Sequence, residues 1–337
     1  MSLKICVIGS SGHFRYALEG LDEECSITGI APGVPEEDLS KLEKAISEMN
    51  IKPKKYNNWW EMLEKEKPDI LVINTVFSLN GKILLEALER KIHAFVEKPI
   101  ATTFEDLEKI RSVYQKVRNE VFFTAMFGIR YRPHFLTAKK LVSEGAVGEI
   151  RLVNTQKSYK LGQRPDFYKK RETYGGTIPW VGIHAIDWIH WITGKKFLSV
   201  YATHSRLHNS GHGELETTAL CHFTLENEVF ASLSIDYLRP QGAPTHDDDR
   251  MRIVGTRGIV EVINERVFLT DEKGHREVPL VEKGQIFEDF LREIRGQGKC
   301  MVTPEDSILT TEIALKARLS ADTGQIVLIE GHHHHHH

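Results

Sequence analysis

Apolar and polar positions follow two different periods along this chain, and the change falls between its first and second thirds. Up to about residue 125, short apolar runs stand between amphipathic stretches. Ile5-Cys6-Val7-Ile8, Ser26 to Ile30, Ile70-Leu71-Val72-Ile73, Ala94-Phe95-Val96 and Val121 to Thr124 read as strands. The stretch running through Leu21, and the segments Glu36 to Met49, Leu79 to Arg90 and Phe104 to Val117, read as helices. Uniformly apolar strands alternating with helices predict a parallel sheet covered on both faces, the doubly wound α/β arrangement.

Arg132-Pro133 breaks that rhythm before a helix from His134 to Ser143. Longer, alternating segments then dominate: Ile150 to Lys160, Leu198 to Arg206, Thr217 to Leu225, Val229 to Asp236, Arg250 to Val254, Ile259 to Val262 and Val267 to Thr270. Only Gly182 to Ile192 is helical among them, and helices from Ile286 to Arg295 and Glu305 to Ala321 close the chain. This pattern predicts an α+β domain with a large, open, mostly antiparallel sheet, one face of which lies on helices. The other face must meet something, and a second copy of the chain is the simplest partner. The expected organisation is residues 1–125, residues 126–331 for substrate binding and oligomerisation, and an expression tag at 332–337.

A length of 337 residues suits two cores. Hydrophobic content of 41% and charged content of 27% belong to a globular protein. The net charge of -3 speaks against a nucleic-acid partner. No apolar run approaches the roughly 20 residues that span a bilayer, so no membrane partner is expected. Cys6, Cys25, Cys221 and Cys300 have no metal or redox spacing and read as reduced thiols. Met1-Ser2-Leu3-Lys4 runs straight into the first strand with no secretory pattern, so the expected location is cytoplasmic.

The first strand ends in Gly9-Ser10-Ser11-Gly12-His13-Phe14. A strand, a glycine turn and a helix start expose backbone N–H groups to an anion such as a dinucleotide phosphate. The full G-x-G-x-x-G fingerprint is incomplete, because Ser11 and Phe14 stand where two of its glycines would. The acid expected at the end of the second strand is also missing. Ala31-Pro32-Gly33 occupies its place, and no arginine stands there for a 2′-phosphate. Glu36, Glu37 and Asp38 follow, and read as a solvated helix start. NAD and NADP therefore both stay open.

Glu97-Lys98-Pro99 follows the Ala94-Phe95-Val96 strand, and so places a lysine at the carboxyl edge of the sheet, where ligands of open α/β folds sit. Before it comes Asn74-Thr75-Val76-Phe77-Ser78-Leu79-Asn80. After it come Arg130-Tyr131-Arg132-Pro133, Gly145-Ala146-Val147-Gly148-Glu149-Ile150 and Gly175-Gly176-Thr177-Ile178-Pro179-Trp180-Val181-Gly182-Ile183-His184-Ala185-Ile186-Asp187. In this order the blocks resemble the glucose–fructose oxidoreductase / inositol dehydrogenase / MocA family, from Lys4 to about Ile329.

The resemblance implies a Rossmann domain holding NAD or NADP. It also implies hydride transfer at a carbinol carbon of a sugar, cyclitol or related polyol, and homodimers or homotetramers formed through the C-terminal sheet. It assigns Lys98 and His184 to catalysis, with His184 as acid/base. It assigns Gly9, Ser10, Ser11, Gly12, His13, Thr75, Phe77, Asn80, Glu97 and Lys98 to the cofactor, with Asn80 where a histidine is frequent. An imidazole suits the proton transfer that accompanies alcohol oxidation, and an ammonium suits stabilisation of charge on the oxygen.

One departure is Trp180, four residues before His184, where the family usually carries an aspartate. Four residues is one face of a helical turn, so Trp180 reads either as a platform for sugar C–H faces or as a wall. Asp187, Lys157 and Tyr159 complete the candidate substrate contacts, and Asp187 reads equally as a helix-surface acid. His184, Asp187 and His190 share one helix face, but no metal site is expected. His246-Asp247-Asp248-Asp249 reads as a solvated turn or as part of a cleft. Two other activities stay open: a redox-neutral glycosidase or lyase using bound NAD, and a non-catalytic sugar or dinucleotide sensor.

Overall fold

A computed structural model describes residues 2–329; the expression tag expected at 332–337 lies outside the described residues. The chain opens with β1 (Leu3–Ile8), α1 (Arg15–Glu19), β2 (Cys25–Ala31), α2 (Ser40–Glu48), β3 (Lys54–Lys55) and α3 (Trp59–Glu66). It continues through β4 (Ile70–Ile73), α4 (Phe77–Glu89), β5 (His93–Val96), α5 (Phe104–Val117) and β6 (Phe123–Ala125). These strands form one parallel sheet in the order β3-β2-β1-β4-β5-β6. The order reverses between β1 and β4, and that switch point is where ligands of doubly wound sheets bind. β4 is buried at all four positions, as a strand covered on both faces requires.

The remaining elements are α6 (Pro133–Ser143), β7 (Ile150–Ser158), α7 (Arg171–Tyr174), α8 (Ile183–Thr193), β8 (Phe197–Ser205), β9 (Thr218–Leu225) and β10 (Val229–Asp236). Then follow β11 (Arg250–Gly255), β12 (Gly258–Ile263), β13 (Arg266–Asp271), β14 (Gly274–Val278), α9 (Ile286–Ile294), α10 (Pro304–Thr323) and β15 (Val327–Leu328). Nine strands pair in the order β14-β13-β12-β11-β7-β10-β9-β8-β15. Every neighbouring pair is antiparallel except β7 with β10. The alternation expected from the sequence is kept: β10 buries Val229, Ala231, Leu233 and Ile235 on one face.

Two compact units result. The first comprises residues 1–128, 172–175 and 285–311, and the second residues 129–171, 176–284 and 312 onward. In the first unit, Phe287 and Phe290 of α9 pack on Phe95 of β5 at ring-centre distances of 5.1 and 5.5 Å. Gln285 starts α9 by accepting the Glu288 N–H at 2.8 Å, and donates to the Tyr16 carbonyl at 2.7 Å. In the second unit, Phe135 of α6 meets Trp188 of α8 at 4.3 Å, and a Cβ on Gly182 would stand 2.6 Å from Ile235 Cδ1. Helix and sheet therefore approach closely at Gly182, and a larger residue there would have to displace the Ile235 side chain.

Several boundaries differ from expectation for local reasons. The helix expected from Glu36 starts at Ser40, and the one expected through Leu21 is only the five residues of α1. α3 was not foreseen, although Asn58 caps it by accepting the Glu61 N–H at 3.3 Å. β14 is exposed and polar, and so carries no apolar alternation to read.

His93 Nδ1 accepts the Phe122 N–H at 2.9 Å, and burial holds its pKa below the ordinary 6.5. A protonated imidazole loses this acceptor. The contribution of His93 to stability is therefore fully present above about pH 6.5 and is lost as pH falls through the lower folded value. Melting temperature is expected to drop on acidification below that point. The drop is shallower in His93→Asn, whose amide oxygen accepts without titrating; identical slopes would remove His93 from the pH dependence.

Candidate active site

The glycine turn is built by what surrounds it. Gly9 has φ +81°, and a Cβ there would lie 2.6 Å from the Asn74 carbonyl oxygen and Thr75 Cα. A Cβ on Gly12 would lie 2.2 Å from Glu97 Oε1. Both glycines are thus required by contact. Phe14 is buried in the core rather than leaving room for a small residue.

Asn74, which the sequence reading passed over, organises the turn. Its side chain donates to the carbonyls of Ile8 and Gly9 at 3.1 and 2.8 Å. Its carbonyl accepts the Ser11 N–H at 2.9 Å, and its Oδ1 the Gly12 N–H at 3.2 Å. The Ser10 N–H reaches Glu37 Oε2 at 3.1 Å, and the His13 N–H reaches Glu97 Oε1 at 2.7 Å. Four consecutive N–H groups therefore converge on oxygen acceptors, two of them carboxylates.

A cavity of about 370 Å³ borders this turn, lined by Ser11, Gly12, His13, Tyr16 and Lys41 among others. A turn that carries no side chain at Gly9 or Gly12, beside a cavity lined by a lysine, fits the phosphates of a dinucleotide. The five-residue α1 is too short for much of a helix dipole, so the fit rests on the open glycine turn and Lys41.

Glu97 is completely buried. Its Oε1 also meets His13 Nδ1 at 2.6 Å, and its Oε2 accepts the Lys98 N–H at 3.0 Å. Burial pushes the pKa of this carboxyl up, but the charges of His13 and Lys98 and the bonds from His13 outweigh it and hold the pKa below the ordinary value. Lys98 is itself only 1% exposed, at the carboxyl end of β5, and its bond to Pro99 is cis.

Thr75 stands at the switch point, and Asn80 bonds its backbone. Its Oδ1 accepts the Thr75 N–H at 2.9 Å and its Nδ2 reaches the Thr75 carbonyl at 3.4 Å, so its amide closes the turn from β4 into α4. Phe77 is fully buried, 6.1 Å from the Tyr174 ring. The reading of Glu37 as part of a solvated helix start is corrected. The helix begins later, and the half-buried Glu37 folds back onto Ser10, Ser11, Gly33 and Thr75.

In the second unit, His184 is 4% exposed in the first turn of α8. A π-helical turn, Ile178–Gly182, precedes it. The one-face argument relating Trp180 to His184 assumed an α-helix. The wider turn closes its hydrogen bonds over five residues, and residues four apart still fall near one face. Trp180 is 8% exposed, edge-on to Tyr168 at 6.4 Å. Asp187 forms a buried bidentate pair with Arg130, from Nε at 2.9 Å and Nη2 at 2.6 Å. Both carboxylate oxygens of Asp187 accept from that guanidinium.

Lys157 is fully buried and pairs with Asp249 Oδ1 at 2.7 Å, 4.7 Å from the ring of Tyr159 and 5.4 Å from that of Trp188. Burial alone would lower its pKa, but the Asp249 carboxylate raises it above the ordinary value and keeps the ammonium charged. The turn holding Asp249 is therefore not simply solvated. Among the described residues, no group of three or more His, Cys, Asp or Glu side chains is placed to hold a metal ion. No helix among them is long and apolar enough to cross a membrane.

Residues 3–124 match the oxidoreductase family with NAD-binding Rossmann fold, and residues 135–261 match the GFO/IDH/MocA C-terminal domain. The chain belongs to the GFO/IDH/MocA oxidoreductase family. It is 25% identical to the uncharacterized oxidoreductase YrbE of Bacillus subtilis over 288 residues, 81% of this chain and 82% of that protein. It is 23% identical to a trans-1,2-dihydrobenzene-1,2-diol dehydrogenase of Xenopus tropicalis over 260 residues, 77% of this chain and 74% of that one. A levoglucosan dehydrogenase in complex with NADH has the same fold, with a TM-score of 0.80 at 18% identity, covering 98% of this chain and 99% of that one.

As a GFO/IDH/MocA member the chain is an NAD-binding oxidoreductase. In its C-terminal unit, removing one partner of the Arg130–Asp187 pair strands a buried charge, which typically costs about 3–5 kcal/mol. Asp187→Ala is expected to lower the melting temperature clearly. An unchanged melt would show that the pair contributes nothing to the unit's stability.

Proposed function

We propose that this oxidoreductase transfers a hydride between NAD(P) and a carbinol carbon of a sugar, cyclitol or related polyol. His184 moves the hydroxyl proton and Lys98 assists at the oxygen. When bound, the nicotinamide ring supplies the hydride-exchanging carbon. The observation that carries this reading is Glu97. One buried carboxylate bonds the dinucleotide loop through His13 and the backbone of Lys98. It thereby holds the lysine in a set position relative to the loop.

The residues divide the remaining work. Lys98 places an ammonium where negative charge develops on the oxygen as its proton leaves. His184 supplies an imidazole, the side chain that exchanges protons most readily near neutrality. Lys157 is held charged by Asp249, so it binds hydroxyls as a donor and does not shuttle protons. Trp180 offers a ring face to sugar C–H groups. The diol and levoglucosan dehydrogenases among the similar proteins support a polyhydroxylated substrate.

The partner is proposed to be a second copy, joined through the open face of the nine-stranded sheet. Tyr201, Leu220 and Phe230 are exposed there, on adjoining strands, with Leu220 56% accessible. Scattering of light from the eluting protein should give a dimer or tetramer, and Phe230→Asp with Leu220→Lys should shift it to the monomer. A monomeric parent protein would remove this proposal.

Proton transfer by a positioned side chain contributes about 10²–10⁴-fold. His184→Ala should therefore lose most turnover in a polyol screen read by NAD(P)H absorbance, while cofactor affinity barely moves. An unchanged rate takes His184 out of the mechanism. Substrate consumed without net NAD(P)H would point instead to a redox-neutral reaction on bound cofactor.

A further inference from the structure

We propose that Glu37 is the acid that holds the adenosine ribose of the dinucleotide, and that it makes this protein select NAD(H) over NADP(H). The proposal rests on the loop at Gly9–His13 holding a dinucleotide, and not on which substrate is oxidised.

β2 ends at Ala31 without an acid. The segment that follows turns back instead of leaving the sheet edge. A Cβ on Gly33 would lie 2.0 Å from Thr75 Oγ1, so this glycine lets the backbone press onto the end of β4. Gly33 then donates its N–H to Glu37 Oε1 at 2.8 Å, closing a short loop that directs the carboxylate inward. Ser10 Oγ donates to the Asp38 carbonyl at 2.6 Å and fastens the far side of that loop. The chain thus returns a carboxylate to the switch point, six residues later in sequence than the end of the strand.

The bonding pattern specifies what this carboxylate can hold. Each oxygen accepts one backbone N–H and one hydroxyl. On Oε2 these are Ser10 N–H at 3.1 Å and Ser11 Oγ at 2.6 Å. On Oε1 they are Gly33 N–H at 2.8 Å and Thr75 Oγ1 at 2.6 Å. The two N–H groups pin the carboxylate. The two hydroxyls are rotatable and exchangeable, because a Ser or Thr hydroxyl that gives up one acceptor can turn to another. One hydroxyl donor on each oxygen is what a vicinal diol supplies, so the ribose 2′- and 3′-hydroxyls replace them without leaving either oxygen bare.

Beyond Glu37 lies a cavity of about 520 Å³ lined by Pro32, Pro35, Asp38, Leu39 and Tyr56 among others. Its apolar faces suit a base. Its charges do not suit a 2′-phosphate: Glu37, Asp38 and Glu43 line it against one cation, Lys55, which is already bonded to Glu43 at 2.6 Å. A phosphate in place of the 2′-hydroxyl would both repel the carboxylate and remove a donor from it.

Titration of the intact protein by tryptophan fluorescence with NADH and NADPH tests this without requiring turnover. A hydrogen bond to a charged group contributes about 1.5–3 kcal/mol, which is roughly ten- to hundredfold in affinity. The parent protein should bind NADH at least about tenfold more tightly than NADPH. Glu37→Gln, which keeps the shape, and Glu37→Ala should each weaken NADH by about tenfold or more and shrink the gap to NADPH. Their melting curves report that the fold is kept. Equal affinities or a preference for NADPH in the parent overturns the proposal. So does tighter NADH binding by Glu37→Ala, which would make the carboxylate a plug that the nucleotide must displace. Binding of neither dinucleotide overturns it together with the role of the loop. Failure to oxidise any polyol, with NADH selectivity intact, overturns only the substrate reading.

Discussion

A carboxylate enclosed by protein is costly, at several kcal/mol for an isolated ion, unless donors and charges surround it. Glu97 meets that condition by drawing two segments to itself. The loop after β1 contributes the His13 N–H and imidazole, and the chain leaving β5 contributes the Lys98 N–H. The charge stays on because those partners outweigh burial. As long as it does, the glycine turn and the lysine share one anchor. Gly12 is required for the same reason, since any side chain there would stand on the Glu97 carboxylate.

The second unit repeats the device twice around α8. Asp187 is clamped by Arg130, and the next residue, Trp188, lies against the buried Lys157–Asp249 pair. The helix that presents His184 is therefore anchored by charge as well as by the packing of Phe135 and Ile235 around it. Breaking such a pair from one side is far more costly than never having built it.

Much of this was legible in the residues. Four apolar positions in a row marked β4, and period-two alternation marked β10, because burial on two faces or one leaves those signatures directly. The Glu97-Lys98 and His184 blocks were visible as motifs. What stayed hidden depended on contacts between residues distant in sequence. Asn74 looks like an ordinary strand-end residue until its amide is seen bonding Ile8, Gly9 and Gly12. Glu37 sits in an acidic run whose local pattern suits a helix start, and only the fold of Pro32–Pro35 reveals where its carboxylate goes. Asp187 shares a helix face with His184 by periodicity, yet its partner, Arg130, lies 57 residues away. The π turn before His184 has no sequence mark beyond its proline and glycine.

The first unit is not one continuous stretch of chain. Its β5 face is covered by Phe287 and Phe290, and its β6 is fastened by Ser307, whose hydroxyl accepts the Ala125 N–H at 3.0 Å. A ribosome has therefore made the whole six-stranded sheet, and more than a hundred and fifty residues besides, before the helices that seal it have emerged. During synthesis the nucleotide-binding half waits with an aromatic face uncovered, and cutting the gene after its last parallel strand would leave that face bare for good.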